Sequence, residues 1–179
     1  MPLTENTTMA IYNNPGNIEP NGWAGDTGKR YGKGRFVVFD SPEMGVRAMM
    51  RDAKKKINDF NGDVDSIINK YAPPNENDTR TYAKFIKDQL GKDTVTEADL
   101  PDLVSAIIRF ENTPDVADRY IQPDVLKKAY ELSKISLPEG YTYDQANQDF
   151  GIDAAYAPNE VTPEELQGGK SWWDKLFSL

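Results

Sequence analysis

The sequence contains no histidine and no cysteine. Without cysteine there is no disulfide and no thiol nucleophile, and without histidine there is no Ser-His-Asp triad. Losing both residue types also removes nearly every zinc or copper site. We expect no metal ion and no cofactor; without these two residue types, any catalysis must use carboxylates, hydroxyls, lysines or amides.

Long apolar runs and an excess of positive charge are lacking as well. No apolar run approaches the roughly 18 residues that would span a bilayer, and the amino-terminal sequence lacks the basic-then-apolar pattern of a signal peptide. The formal net charge is −8, whereas a nonspecific nucleic-acid binder needs a cationic face to release phosphate counterions. The sequence predicts a soluble protein made in the cytoplasm, with no transmembrane segment and no nucleic-acid partner.

The composition divides the 179 residues into two unequal parts. Residues 136–179 carry eight acidic side chains and two lysines, with no sustained hydrophobic period. We predict a folded domain over residues 1–135, followed by an acidic, loosely structured linker or tail over residues 136–179. Four apolar side chains near the end would share one face of a short helix: Trp172, Trp173, Leu176 and Phe177. They either fold back onto the domain or dock on another protein.

The hydrophobic periodicity of the first part is mostly helical. Residues 1–34 are dense in Asn, Gly and Pro, which favour turns and a looped, hairpin-bearing lobe. Residues 35–39 form the best strand candidate, and Trp23 is a candidate for its partner strand. Helices are predicted to start at Ser41-Pro42, Asp63, Thr79, Pro101, Thr113-Pro114 and Gln122-Pro123. The expected fold class is mainly α (α+β), a helical domain with a small β-hairpin lobe.

Glu111 is the strongest candidate for a catalytic residue. It follows Val104, Ile107 and Ile108 at helical spacing, so it falls on the apolar stripe at the carboxyl end of its helix. Burial and the negative end of the helix dipole both disfavour ionisation there, which suits a general acid. The alternative is a structural role, in which Glu111 reaches solvent or pairs with Arg109 or Arg119.

Two polar segments are candidates for substrate binding. Residues 13–18 and 21–23 group asparagines with Trp23, and amides beside an aromatic ring suit the hydroxyl and N-acetyl groups of a sugar. Residues 71–79 form a rigid polar loop that could line a cleft. Turn formation and helix capping are the alternatives for these segments. Four basic side chains add a rim near the first segment, which could meet an anionic polymer: Lys29, Arg30, Lys33 and Arg35.

Five sequence blocks occur in an order that is typical of a known family. They are Asn-Asn-Pro-Gly-Asn-Ile at residues 13–18, Trp-Ala-Gly at residues 23–25, residues 36–48, residues 68–79, and Ala-Ile-Ile-Arg-Phe-Glu-Asn at residues 106–112. In this order they resemble a family of bacteriophage virion-associated proteins, described as structural proteins or as lytic transglycosylases. The resemblance covers about residues 10–130. The blocks are also similar, more remotely, to the lysozyme superfamily.

The resemblance implies a lysozyme-like domain that cleaves the glycan strands of peptidoglycan. Glu111 would be the single catalytic acid and base, and the substrate-binding residues would be Asn13, Asn14, Asn17, Trp23, Tyr71, Asn75, Asn77 and Tyr82. The protein would act from the virion on the host cell wall, as a lytic transglycosylase or muramidase. Other virion proteins are possible partners, through the terminal Trp-Trp peptide.

The order of the blocks also suggests how such a fold would be rearranged. In bacterial glucosaminidases an Asn-Asn-Leu-Phe-Gly-Ile-Lys stretch follows the helix that bears the catalytic glutamate, and residues 13–18 look similar to it. Here the helix that ends at Glu111 comes afterwards, which suggests a circular permutation as a hypothesis. The site requires Glu111 to lie within about 15 Å of Asn13, Asn17 and Trp23, so that one oligosaccharide can touch all of them.

Three other functions compete with the transglycosylase. A hydrolase would need a second carboxylate across the cleft, for which Asp26, Asp40 and Glu43 are the candidates. A non-catalytic virion protein would keep the domain as a scaffold and use the terminal peptide for assembly. A carbohydrate-binding module would hold peptidoglycan through the asparagines without cutting it.

Overall fold

The computed structural model describes residues 12–75 and 77–134. This part of the chain has six α-helices and a two-stranded antiparallel sheet, which confirms the expectation of a mainly helical domain with a small β-hairpin. The strands are β1 (Asp26–Tyr31) and β2 (Phe36–Phe39), and the helices are α1 (Pro42–Asp59), α2 (Val64–Tyr71), α3 (Thr79–Leu90), α4 (Leu100–Glu111), α5 (Pro114–Tyr120) and α6 (Pro123–Ser133). The predicted tail and its terminal Trp-Trp peptide lie outside the described residues. None of the helices in the described ranges is long and apolar enough to cross a membrane.

The helix starts follow the capping signals in the sequence. Ser41 caps α1, its hydroxyl accepting a hydrogen bond from the Met44 amide at 3.3 Å, and Pro42 takes the first helical position. Asp78 caps α3 in the same way, and Gly91 ends that helix in the left-handed conformation. The placement of Trp23 on the partner strand is wrong, because β1 begins at Asp26.

Helix α4 forms the centre of the domain. Its apolar side chains Leu100, Leu103, Val104, Ile107 and Ile108 are at most 1% exposed. It packs against α1, α3 and α5, and α6 packs against α1. A helix that is covered on several sides is apolar around most of its circumference. Because α4 ends at Glu111, this carboxylate lies at the edge of the domain core.

The segment of residues 12–18 lies along β2 and is held there by hydrogen bonds. The amides of Val37 and Phe39 donate to the carbonyls of Ile18 and Tyr12, at 3.1 and 3.0 Å. The buried Asn14 side chain donates to the carbonyls of Ile18 and Val37 and accepts from the Ile18 amide, at 2.8 to 3.0 Å. This side chain therefore replaces the regular ladder hydrogen bonds that an irregular segment cannot form.

Helix α1 approaches the same segment closely. A Cβ atom at Gly45 would lie 1.8 Å from the carbonyl oxygen of Asn13, so only glycine fits in this first turn of the helix. Asn13 adopts a φ of 53°, in the left-handed region that asparagine tolerates better than most residues. These two residues let the segment lie between the sheet and the helical core.

We predict that Asn14→Ala lowers the free energy of unfolding by about 3 kcal/mol, because it leaves buried backbone groups without their partners. Urea unfolding monitored by circular dichroism, with the slope m compared, measures this change. Asn69→Ala is the matched control, since that amide donates to the Asp65 carbonyl on the exposed surface of α2, and its loss should stay within about 0.5 kcal/mol. Equal losses in the two variants would contradict this role of Asn14.

Candidate functional site

A cleft of about 400 Å³ lies between the 12–18 segment, the hairpin and the helices. The amino-terminal side contributes Asn17, Trp23 and Arg35 to its lining. Helix α1 contributes Asp52 and Lys56, and the loop after α2 contributes Pro73 and Asn77. Glu111 lies in the same cleft. The size is that of a small-molecule pocket, and polar groups from separate parts of the chain converge in it.

The Glu111 carboxylate is held by a hydrogen bond at each oxygen. The Asn17 side-chain amide donates to Oε2 at 3.0 Å, and the Tyr82 hydroxyl donates to Oε1 at 2.7 Å. Glu111 is 7% exposed, so the proposed structural alternative in which it reaches freely into solvent does not apply. A carboxylate fixed from two sides and open to a cleft through a small exposed area is oriented before any ligand arrives.

The hydrogen-bond network continues behind Asn17. The Tyr31 hydroxyl, from the end of β1, donates to the Oδ1 atom of Asn17 at 2.8 Å. Asn17 has a φ of 53° and is 8% exposed. The hairpin, the 12–18 segment and α4 therefore meet at one amide side chain.

Further contacts lock the 12–18 segment against the helical core. The Asn112 side chain caps the last turn of α4 by donating to the Ile108 carbonyl at 2.8 Å, and it also donates to the Pro15 carbonyl at 2.7 Å. The Tyr71 hydroxyl donates to the Gly16 carbonyl. A Cβ atom at Gly16 would lie 2.6 Å from the Tyr71 hydroxyl, so the close approach depends on glycine.

The tyrosines around Glu111 keep their protons. Burial, and after it the negative charge of Glu111, raises the pKa of Tyr31, Tyr71 and Tyr82 well above the usual value near 10. The Tyr31 and Tyr82 hydroxyls are therefore donors throughout the physiological pH range. The Tyr82 ring is stacked on Phe110 with centroids 3.7 Å apart, which fixes its direction toward the carboxylate.

The other carboxylates of the cleft are paired with cations. Asp52 and Lys56, one turn apart on α1, form an ion pair with a separation of 2.5 Å. Glu19 pairs with Arg35 at the same distance. The Lys56 ammonium also lies 5.5 Å from the centroid of the Tyr71 ring. These pairs give the walls of the cleft charges of both signs.

The structure brings part of the predicted site together. Asn17, Trp23, Tyr71 and Asn77 line the same cleft as Glu111, and Asn17 contacts it directly. Tyr82 is 1% exposed and lies behind the carboxylate, where it holds the acid and does not face the cleft.

The remaining predicted residues lie elsewhere. The Asn14 side chain forms hydrogen bonds with backbone carbonyls, and the Asn13 side chain donates to the Phe39 carbonyl at 3.1 Å. Asn75 is exposed and is not part of the cleft lining. For Asn13 and Asn14 the turn-forming alternative describes the geometry, since their side chains build the loop that carries Asn17.

The candidates for a second carboxylate also lie away from the cleft lining. Asp26 forms an ion pair with Arg30 within β1, Asp40 precedes α1, and Glu43 lies in the first turn of that helix. Among the residues that the structure describes, the carboxylates that line the cleft beside Glu111 are Glu19 and Asp52, and the sequence analysis missed both. The i, i+4 spacing of Asp52 and Lys56 was a visible signal of an ion pair, but it did not reveal which face of α1 borders the cleft.

Two hydrogen-bonding residues of the site were missed as well. Asn112 follows Glu111 directly, where an asparagine is a common helix cap. Its hydrogen bond to the Pro15 carbonyl is a tertiary contact, which the sequence does not show. Tyr31 carries no signal, because a tyrosine near the end of a hairpin strand is common. Of the predicted basic rim, Arg35 borders the cleft.

Comparison of the chain with models of known protein families and with curated protein sequences finds no match in either case.

We predict that stability falls as the pH rises above about 10. In the unfolded chain the tyrosines ionise near 10, whereas in the folded chain Tyr31, Tyr71 and Tyr82 stay protonated, so the folded state binds more protons in this range. Urea unfolding at several values between pH 8 and pH 11 measures the decline. Tyr82→Phe removes one such group and should flatten the decline; a stability that is constant or rising in the wild type would contradict the assignment.

Proposed function

We propose that the protein is a peptidoglycan-cleaving enzyme with a lysozyme-like domain, carried by a bacteriophage virion, and that it works as a lytic transglycosylase. The observation that carries the proposal is the Glu111 carboxylate, which is buried at the end of α4, held at both oxygens and open to a cleft. The resemblance of the five sequence blocks to virion-associated proteins supports the source and the cell-wall target.

The lining of the cleft suits a glycan strand. Trp23 offers an aromatic face at the rim, and its indole nitrogen donates to the Glu19 carbonyl at 2.8 Å, which holds the ring in place. Asn77 lines the same cleft, and its side-chain nitrogen donates to the Pro73 carbonyl at 3.2 Å. Sugars are bound by stacking on aromatic rings and by amides that donate and accept hydrogen bonds.

The reaction requires one group that gives and then takes a proton. Glu111 in its protonated form would donate the proton to the glycosidic oxygen between MurNAc and GlcNAc as the bond to C1 breaks. The carboxylate would then accept the proton of the MurNAc C6 hydroxyl while O6 attacks C1, which closes the 1,6-anhydro ring. Asn17 and Tyr82 would stabilise the carboxylate between these two steps by donating to it.

Within residues 12–75 and 77–134, the ion pairs of the other cleft carboxylates favour this reaction over hydrolysis. A hydrolase needs a second carboxylate as nucleophile or as base for water. Asp52 and Glu19 line the cleft, but each forms a close ion pair with a cation. A transglycosylase needs the single carboxylate that Glu111 supplies.

The test is digestion of purified peptidoglycan sacculi, with soluble products identified by mass spectrometry. The wild type should release anhydromuropeptides, and Glu111→Gln should reduce the rate by about 10²- to 10⁴-fold because it cannot transfer a proton. Glu43→Gln, outside the cleft lining, is the matched control and should keep full activity.

Two results would change the assignment. Products with reducing ends, together with loss of activity in Asp52→Asn, would indicate a hydrolase with Asp52 as the second carboxylate. No release by the folded wild type would contradict the enzymatic proposal and favour a scaffold in the virion.

A further inference from the structure

The two ends of the Asn17 amide are held by different elements of the fold. Its nitrogen donates to Glu111 on α4, and its oxygen accepts from the Tyr31 hydroxyl on β1. Amide side chains rotate readily, because the last torsion of asparagine has a broad energy profile. The orientation of this amide is therefore set by its partners.

Between the two proton transfers of the proposed reaction Glu111 is ionised, and an ionised carboxylate can only accept hydrogen bonds. The productive orientation of Asn17 turns its NH₂ group to Glu111, and a flipped amide would place its oxygen against the carboxylate. The Tyr31 hydroxyl favours the productive orientation, because in that orientation it donates to the amide oxygen at 2.8 Å. The hydroxyl also lies 3.4 Å from the Asn14 carbonyl, a second acceptor that keeps the phenol near the segment.

We propose that Tyr31 is a positioning residue, whose hydroxyl fixes the orientation of the Asn17 amide and through it the direction of the Glu111 carboxylate. The inference rests on the proposed function. It assigns the hairpin a part in catalysis, since β1 carries Tyr31 and neither strand carries the acid.

The ring and the hydroxyl of Tyr31 can be separated experimentally. The ring is stacked on Tyr12 with centroids 4.2 Å apart and packs against Phe36 at 5.3 Å. Tyr31→Phe keeps this packing and removes the hydroxyl alone. Tyr12→Phe is the matched control, because it changes the other ring of the same stack, and the Tyr12 hydroxyl forms no hydrogen bond within residues 12–75 and 77–134.

The first experiment measures kinetics of the full chain on soluble glycan strands prepared from sacculi. We expect Tyr31→Phe to lower kcat about tenfold while KM changes by less than about twofold, since the lost contact orients the acid and does not touch the substrate. Tyr12→Phe should match the wild type. Tyr31→Phe combined with Asn17→Gly should be no slower than Asn17→Gly alone, because Tyr31 acts through Asn17. The inference would be overturned if the double variant lost kcat by the product of the two single effects. It would also be overturned if Tyr31→Phe changed KM alone.

The second experiment does not depend on activity. The side-chain amide of Asn17 is followed in ¹H–¹⁵N correlation spectra, with Asn17→Gly used to assign its signals. Tyr31→Phe should shift this pair of signals or split it into two orientations, and Tyr12→Phe should leave it in place. Unchanged signals in Tyr31→Phe would overturn the inference even if the wild type is active.

The two proposals fail in different ways. An inactive wild type would refute the proposed function and with it the catalytic part of Tyr31. An active wild type with Tyr31→Phe equal to Tyr12→Phe in kcat would refute the positioning role alone.

Discussion

The hydrogen bond between Asn17 and Glu111 joins residues 94 positions apart, and the arrangement of the site depends on it. It links the irregular segment at one end of the described chain to the end of the central helix α4. Around it, Asn112 and Tyr71 donate to the carbonyls of Pro15 and Gly16, so three contacts share the same junction. Long-range polar contacts of this kind stabilise a fold only when both partners are placed by packing.

The packing that places them comes from two sources. Helix α4 is buried along most of its length, which fixes the position of Glu111 from the side of the core. Asn14 and Gly45 fix the 12–18 segment from the other side, by satisfying its backbone groups and by allowing α1 to approach. The candidate site therefore lies where two separately stabilised parts of the domain meet, and a rigid scaffold of this kind can hold a reactive group in one orientation.

The helices and the strand β2 were predictable from the sequence because their signals are local. Ser41-Pro42 and the glycine after Leu90 mark helix ends, and the spacing from Val104 to Glu111 placed the carboxylate on the buried face. The separation of roles among the asparagines was not predictable. Asn13, Asn14 and Asn17 occur in one turn-rich block, and only the fold shows that the first two bind the backbone while the third contacts Glu111.

The charges of the cleft escaped prediction for the same reason. Asp52 and Lys56 lie on a polar face of α1, and whether that face meets solvent or a cleft depends on elements distant in the sequence. Tyr31 is the clearest case, because its hydroxyl donates to the Asn17 side chain, 14 residues earlier in the sequence. Sequence patterns specify elements and buried faces, whereas a site made of contacts between segments requires the tertiary structure.

The most direct test of this account is a crystal structure of Glu111→Gln with a bound peptidoglycan oligosaccharide. The account predicts sugar rings along the cleft, one of them against Trp23, with a glycosidic oxygen within hydrogen-bond distance of the residue 111 side chain. An oligosaccharide bound elsewhere on the domain, with the cleft unaltered at saturating ligand, would contradict it.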